Sequence, residues 1–273
     1  MSALDCEVVV TRGGARAMLD RTSGEVMHPI GGPLAEAHDL YVAASRLVER
    51  LGGAEREPLV LLDVGLGAGS NAAAAIRAAE ACAPGARRLQ LVSIDRSLAA
   101  FELALAPEHA EAFGWAGPAG HLARTLASEH RVESERVDWR LCLGDVLEVL
   151  AAEPAGSTDI VFWDPFSPGA NPELWTLAAF SALRRVCRAG ATVHTYSGAT
   201  AVRSALLLAG FRVGVGEKIA EGKHATLAAL EPAALEHPLD RRWLERLARS
   251  SAPFPVDAPA EALAHVRALP QFA

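Results

Sequence analysis

The chain has 273 residues, 51% of them hydrophobic and 22% charged, with a net charge of -7. That is enough apolar material for the core of one enzyme-sized domain with additions. The acidic balance argues against indiscriminate binding to nucleic-acid phosphate while leaving room for a local basic patch that meets RNA. No apolar run reaches the ~18 residues of a membrane span, and Met1 to Asp20 lacks the zones of a secretory signal, so a soluble cytoplasmic protein without membrane contact is expected. Cys6, Cys82, Cys142 and Cys187 are far apart, with no Cys-x-x-Cys pair and no histidines at zinc spacing. They read as reduced structural thiols, and no metal site is expected.

Val8 to Arg12 and Ala15 to Leu19 flank Gly13-Gly14, which predicts an N-terminal β-hairpin. From Pro33 to Leu51 the apolar spacing is helical, ending at Gly52-Gly53. Strand-like runs follow at Leu59 to Val64, Leu89 to Ile94, Val137 to Leu143, Asp159 to Trp163, Ala191 to Tyr196, Phe211 to Val215 and Ala225 to Leu230. Helical stretches near 70–82, 97–106, 145–152, 173–187 and 199–209 separate the first six. This alternation predicts an α/β fold with a seven-stranded, mostly parallel sheet covered on both faces. The short link from Gly216 to His224 makes the last two strands an antiparallel edge hairpin. Residues 107–136 read as a helical insertion holding Trp115, and residues 231–273 as a surface tail with one helix from Asp240 to Arg249. The expected organisation is an N-terminal hairpin and lid helix over 1–57, a core over 58–230 and the tail over 231–273.

In Asp63-Val64-Gly65-Leu66-Gly67-Ala68-Gly69 the missing β-carbons let the chain turn sharply and let a ligand approach the backbone. A helix starting near Ser70 aims free N–H groups at an anion. The spacing is not the Gly-x-Gly-x-x-Gly of dinucleotide binders, and no Gly-Lys-Ser/Thr follows, so the anion is a carboxylate rather than a pyrophosphate. Asp95, 26 residues past Gly69 at the next strand end, suits a pair of ribose hydroxyls. Asp145, in Gly144-Asp145 at the third strand end, reads either as a contact to an adenine amino group or as the N-cap of its helix. Asp63 faces either the ligand or the loop. Together these positions suit S-adenosylmethionine, which carries a carboxylate, a ribose and an adenine but no phosphate.

Trp163-Asp164-Pro165-Phe166-Ser167-Pro168-Gly169-Ala170-Asn171-Pro172-Glu173-Leu174-Trp175 closes the fourth strand. Asp164 should stand beside the cofactor's sulfonium, orienting an acceptor amine and taking its proton. Phe166 offers a ring face to a cation. Asn171 is either a substrate contact or a helix cap, and Trp175 either a substrate contact or a core residue. Tyr196-Ser197-Gly198 is either a wall of the site or a plain turn. His28-Pro29-Ile30-Gly31-Gly32 and Glu36 are candidates for a lid. Lys218, Lys223 and His224 on the last hairpin either touch a substrate phosphate or form a solvated turn.

Asp63-x-Gly-x-Gly-x-Gly-Ser-Asn71, Asp95, Gly144-Asp145 and Asp164-x-Phe-x-Pro-x-x-Asn-Pro-x-x-Trp175, with Arg203 and Ala209-Gly210-Phe211, resemble the methyltransferase half of the bacterial tRNA wobble-uridine enzymes MnmC and its stand-alone form, MnmD. The resemblance covers roughly residues 28–230. It implies a class I, Rossmann-like methyltransferase that moves a methyl group from S-adenosylmethionine to the aminomethyl nitrogen of 5-aminomethyl-2-thiouridine in tRNA. It further implies cofactor contacts at Gly65, Gly67, Gly69, Asn71, Asp95 and Asp145 and an amine-facing carboxylate at Asp164. At this length a flavin-dependent oxidase acting upstream is expected as a separate protein. The chain has Asp63 and Leu66 where the family's loop usually has Glu and Phe, and its basic run before the final strand is reduced to Glu217-Lys218-Ile219-Ala220-Glu221-Gly222-Lys223-His224. Two other readings stand beside this one: methyl or aminopropyl transfer to a small amine, and a non-catalytic binding module of the same fold.

Overall fold

Continuous Leu, Val and Ile runs make strands only where both faces of a sheet are covered. In the computed structural model, which describes residues 6–27, 32–220 and 222–273, such runs carry the cores of two compact units, Met1–Val149 and Leu150–Ala273. The division falls inside the segment expected to form a single core.

The first unit opens with β1 (Cys6–Val10) and β2 (Arg16–Asp20), paired antiparallel around a turn in which Gly14 has φ 82°. The expected hairpin is extended by β3 (Glu25–Met27) into a three-stranded sheet. Asp20 makes the second turn by accepting from Thr22 N at 2.7 Å and Ser23 Oγ at 3.1 Å, the local bonding that favours Asp and Ser in turns. The helical stripe that follows is not one helix. It divides into α1 (Pro33–Ala37), a π-helical stretch His38–Ala43 and α2 (Leu47–Leu51), with Arg46 left-handed at φ 54° between the last two.

β4 (Leu59–Val64), β5 (Leu89–Asp95) and β7 (Val137–Leu143) pair parallel in the order β4-β5-β7. The intervening β6 (Arg131–Glu133) lies antiparallel on the outside of β7. Among the described residues this unit also holds α3 (Ser70–Glu80), α4 (Ala99–Ala104) and α5 (Pro118–Glu129). The insertion therefore supplies both a helix and an edge strand. Its Phe113 and Trp115 have no exposed surface, as have Phe101 and Trp139. Trp115 and Trp139 stack with centroids 5.7 Å apart, and Phe101 meets both edge-on.

α6 (Val146–Ala152) leads to β8 (Thr158–Trp163), which is buried at every residue. In the second unit β8 runs parallel to β9 (Cys187–Thr195), and β9 pairs antiparallel with β11 (Lys223–Ala229), which pairs antiparallel with β10 (Arg212–Ala220). Outside the N-terminal sheet the described residues thus form eight strands, four per unit; the one added to the seven expected is β6. α7 (Leu177–Val186) and α8 (Thr200–Leu208) make the connections, and α9 (Arg241–Arg249) and α10 (Ala262–Arg267) lie in the tail. The tail covers the open edge of β10: Leu239 N donates to Val213 O at 2.9 Å, and Gln271 bonds Val213 through both ends of its amide. Asp257 accepts from Leu177 N and Ala178 N, both at 2.9 Å, satisfying the first turn of α7. No helix among the described residues is long and apolar enough to cross a membrane.

Cys187 is buried at the start of β9, and burial pushes its thiol up to about 12. A thiol-reactive dye at mildly alkaline pH is therefore expected to label the half-buried Cys6, Cys82 and Cys142 in the folded chain, and Cys187 only on unfolding. Peptide mapping that finds Cys187 labelled as fast as the others contradicts this burial.

Candidate active site

β4 delivers the chain into three left-handed glycines at alternate positions: Gly65 at φ 86°, Gly67 at 53° and Gly69 at 77°. An L-residue pays roughly 1–2 kcal/mol for that conformation. At Gly69 there is also no room, because a β-carbon would lie 2.6 Å from Trp115 Cζ2 and 2.7 Å from Phe101 Cε2. The loop is clamped from beneath. Gly65 N donates to Ile94 O at 3.0 Å, and the Trp115 indole N–H donates to Ala68 O at 2.9 Å. Nothing in the sequence around Trp115 marks it for this role, since its partner lies 47 residues away. Gly65 and Gly67 remain half-exposed, whereas Ser70 Oγ, on the first turn of α3, is buried without a hydrogen-bond partner among the described residues.

Asp95, half-exposed at the end of β5, draws the tips of two strands together. Its Oδ2 accepts from Gly67 N at 2.9 Å, and its Oδ1 from Arg96 N at 2.7 Å and Ser97 N at 3.2 Å. Burial raises its carboxyl above the usual carboxylate range, against the pull of those three N–H groups.

Of the two alternatives for Asp145 the structure shows the helix cap, with an ion pair to Arg96 beside it. Oδ1 caps α6, accepting from Leu147 N at 2.8 Å, and Oδ2 accepts from Arg96 Nη2 at 2.6 Å. The hydrogen bond from Arg96 is the main reason its carboxyl sits below the usual range. Asp63 is a correction: it has no exposed surface and accepts from Ser93 Oγ at 2.8 Å, while Ser93 Oγ in turn accepts from the Trp139 indole at 3.0 Å. It braces β4 against β5 from inside the sheet instead of presenting oxygen to a ligand. Asn71, 4% exposed, is likewise buried in the first turn of α3.

In the second unit Asp164 follows β8 and is half-buried, as is Phe166. The backbone between them is pinned from two sides: Tyr196 Oη donates to Pro165 O at 3.1 Å, and Trp175 Nε1 donates to Phe166 O at 2.9 Å. Ser167 O accepts from both Ala170 N and Asn171 N at 2.9 Å, closing the turn. Trp175 is therefore corrected from a substrate contact to a support. It is 3% exposed and packs edge-on against Tyr196 at 5.8 Å. Asn171 is half-buried, and its side chain does not cap a helix: Thr176 caps α7 instead, accepting from Ala179 N at 3.1 Å. Tyr196 thus acts on the loop, and Gly198 lies where a β-carbon would be 2.3 Å from His224 O. His28 to Gly31 of the expected lid lie outside the described residues. Among the described residues no group of three His, Cys, Asp or Glu is placed to hold a metal ion.

A model of the family described as S-adenosyl-L-methionine-dependent methyltransferase matches residues 115–231. The chain is 34% identical over 230 residues to the tRNA 5-methylaminomethyl-2-thiouridine biosynthesis bifunctional protein MnmC of Methylibium petroleiphilum, a match covering 81% of this chain and 34% of that protein. It is 36% identical over 199 residues to the MnmC of Aromatoleum aromaticum, covering 69% of this chain and 30% of the relative. The chain thus spans about a third of these curated relatives. Among solved structures it superposes on MnmC2 from Aquifex aeolicus with a TM-score of 0.77 and 26% identity, over 97% of this chain and 83% of the other. Spermidine synthase from Thermotoga maritima, at a TM-score of 0.56 and 12% identity over 99% of this chain and 82% of the other, is a likeness of fold alone.

Fold and family together define a Rossmann-like α/β methyltransferase whose cofactor is S-adenosylmethionine. Within that class the chain belongs with the MnmC-like proteins.

Proposed function

We propose that the chain methylates the aminomethyl nitrogen of 5-aminomethyl-2-thiouridine at the tRNA wobble position, working in the cytoplasm on tRNA prepared by a flavin-dependent oxidase activity. The observation that carries this reading is the likeness to MnmC proteins over four-fifths of the chain. The pinned Asp164 to Trp175 turn, which lies within the family match, supports it.

The residues present fit the cofactor. Left-handed Gly65 and Gly67, the buried Ser70 hydroxyl, which has no partner among the described residues, and the N-terminus of α3 suit its carboxylate, and Asp95 suits its ribose hydroxyls. When bound, S-adenosylmethionine supplies an electrophilic methyl group on a sulfonium. Asp164 orients the acceptor nitrogen. It would take the proton that this nitrogen gives up on methylation, directly or through water. Phe166 turns its ring face to the cationic centre, Asn171 offers an amide to the substrate, and Asp145 holds Arg96 at the adenine end.

Asp95 serves the ribose best as an ionised acceptor, and its carboxyl is raised by burial. Its charged form is therefore lost at a higher pH than that of an ordinary aspartate as acid is added. Calorimetric affinity for S-adenosylmethionine is expected to begin falling, as acid is added to the wild type, at a higher pH than an ordinary aspartate would set. In Asp95→Asn it is expected to be weak and nearly flat over the same range; parallel curves for the two proteins remove Asp95 from the ribose.

The test of the activity is mass spectrometry of tRNA nucleosides from cells lacking the protein, with turnover in vitro on undermodified tRNA. Accumulation of the aminomethyl nucleoside, corrected by the added protein, is the expected result. An unchanged profile together with turnover on free amines transfers the activity to a small-molecule acceptor.

A further inference from the structure

We infer that α9 carries a stripe of arginines that grips the phosphate backbone of the RNA acceptor; the inference rests on the tRNA reading above. Arg242, Arg246 and Arg249 stand at i, i+4 and i+7 of this helix, so they share one face, and all are exposed. Arg267, exposed on α10, and Arg249 line one surface groove of about 450 Å³ together with Leu244, Glu245 and Ala248, so two cations there stand against one carboxylate. None of these four makes an ion pair among the described residues. The contrast lies within the same chain, where Arg96 pairs with Asp145, Arg188 with Asp159 and Arg131 with Asp138. In a chain of net charge -7, an unpaired row of cations has no internal use, and its charge complements a polyanion.

The helix is built to hold the row still. Asp240 caps it, accepting from Arg242 N at 2.9 Å and Trp243 N at 3.2 Å. Trp243 and Leu247 are buried, and Trp243 stacks on Phe272 at 6.0 Å. With its apolar side spent on the protein, α9 has no greasy face to insert into a lipid surface, which separates it from a membrane-binding amphipathic helix. The cations are guanidinium groups, whose planar forks match phosphate oxygens.

The helix lies beside α8, whose Ser204 Oγ donates to Pro253 O at 2.6 Å just past the end of α9. Buried Arg203 donates to Thr226 Oγ1 at 2.9 Å, to Ala225 O at 3.0 Å and to His224 O at 3.3 Å, where β11 begins beside Gly198. Burial pulls this guanidinium down to about 10, and the positive charge of Arg246 adds to the effect. Lys218 and Lys223 are exposed on the hairpin, with Glu217 exposed beside Lys218. The basic run that is sparse on the hairpin is supplemented from the tail.

The experiment compares the wild-type chain with the triple variants Arg242→Gln/Arg246→Gln/Arg249→Gln and Arg242→Lys/Arg246→Lys/Arg249→Lys. It reads binding of unmodified tRNA across a salt series, KM and kcat on undermodified tRNA, affinity for S-adenosylmethionine and thermal unfolding. Three lost contacts at about 0.7–0.9 each should make the slope of log K against log salt shallower by about two in the Gln variant. Its KM for tRNA should rise about tenfold or more, with kcat, cofactor affinity and unfolding unchanged, and the Lys variant should restore the slope. A Gln variant with wild-type slope and KM, or a Lys variant that restores neither, overturns the inference. If tRNA is methylated and the slope ignores these arginines, the surface fails while the activity stands. If tRNA is bound with an arginine-dependent slope but never methylated, the surface stands and the activity falls.

Discussion

Asp164→Asn is expected to lower turnover by about two to four orders of magnitude, the range a positioned proton acceptor contributes. Affinity for S-adenosylmethionine should stay within a few-fold. Asparagine has nearly the same shape, so the turn after β8 keeps its supports: the Tyr196 hydroxyl on Pro165 O, the Trp175 indole on Phe166 O, and the closure through Ser167 O. What changes is the capacity to hold and take a proton. In the wild type and the variant alike, turnover should climb with pH as the acceptor amine reaches its uncharged form. Single-turnover kinetics with saturating cofactor would falsify the assignment by showing near-normal rates.

Gly69→Ala is expected to destabilise the protein by about 2–5 kcal/mol, combining left-handed strain with overpacking, and to abolish measurable cofactor binding. The added methyl group has nowhere to go, since Trp115 and Phe101 are closer than any β-carbon contact allows and are themselves held against Trp139, Trp115 by stacking and Phe101 edge-on. Gly85→Ala separates the two causes. Gly85 is also left-handed, at φ 89°, but a β-carbon there meets nothing within 4 Å. It should lose only about 1–2 kcal/mol. Thermal unfolding of the two variants side by side is the measurement, and equal losses would show that the indole cluster yields easily and does not hold the loop.

The parts of this molecule that could be read from sequence are those whose cause is local. β4 and β7 have the bounds their apolar runs announce, and the glycine loop is visible because only glycine occupies three left-handed positions in five residues without strain. Other features depend on distant partners. Arg131–Glu133 contains no apolar alternation and is a strand only because β7 offers it an edge. The break in the first helical stripe rests on Arg46 at φ 54°, a conformation that no rule of composition assigns to arginine. β9 begins at Cys187 rather than Ala191 because its first residues pair with Thr158 through an irregularity in register.

The candidate site divides in the same way. Asp95 and Asp164 could be picked out because each is a carboxylate ending an apolar strand. That Asp63 points inward could not, since its neighbour Ser93 lies on another strand. The same holds for Arg96, whose hold on Asp145 spans 49 residues, and for Trp175, whose indole reaches back to the turn it follows.

The contact between Trp115 and Ala68 has one more consequence. An indole whose nitrogen is bonded to the glycine loop, and whose ring is stacked on Trp139, is a chromophore wired to that backbone. Any shift of the loop on ligand entry changes the polarity and stacking felt by the pair. The chain therefore carries its own optical gauge, and its ultraviolet emission can follow occupancy of the loop with no label attached.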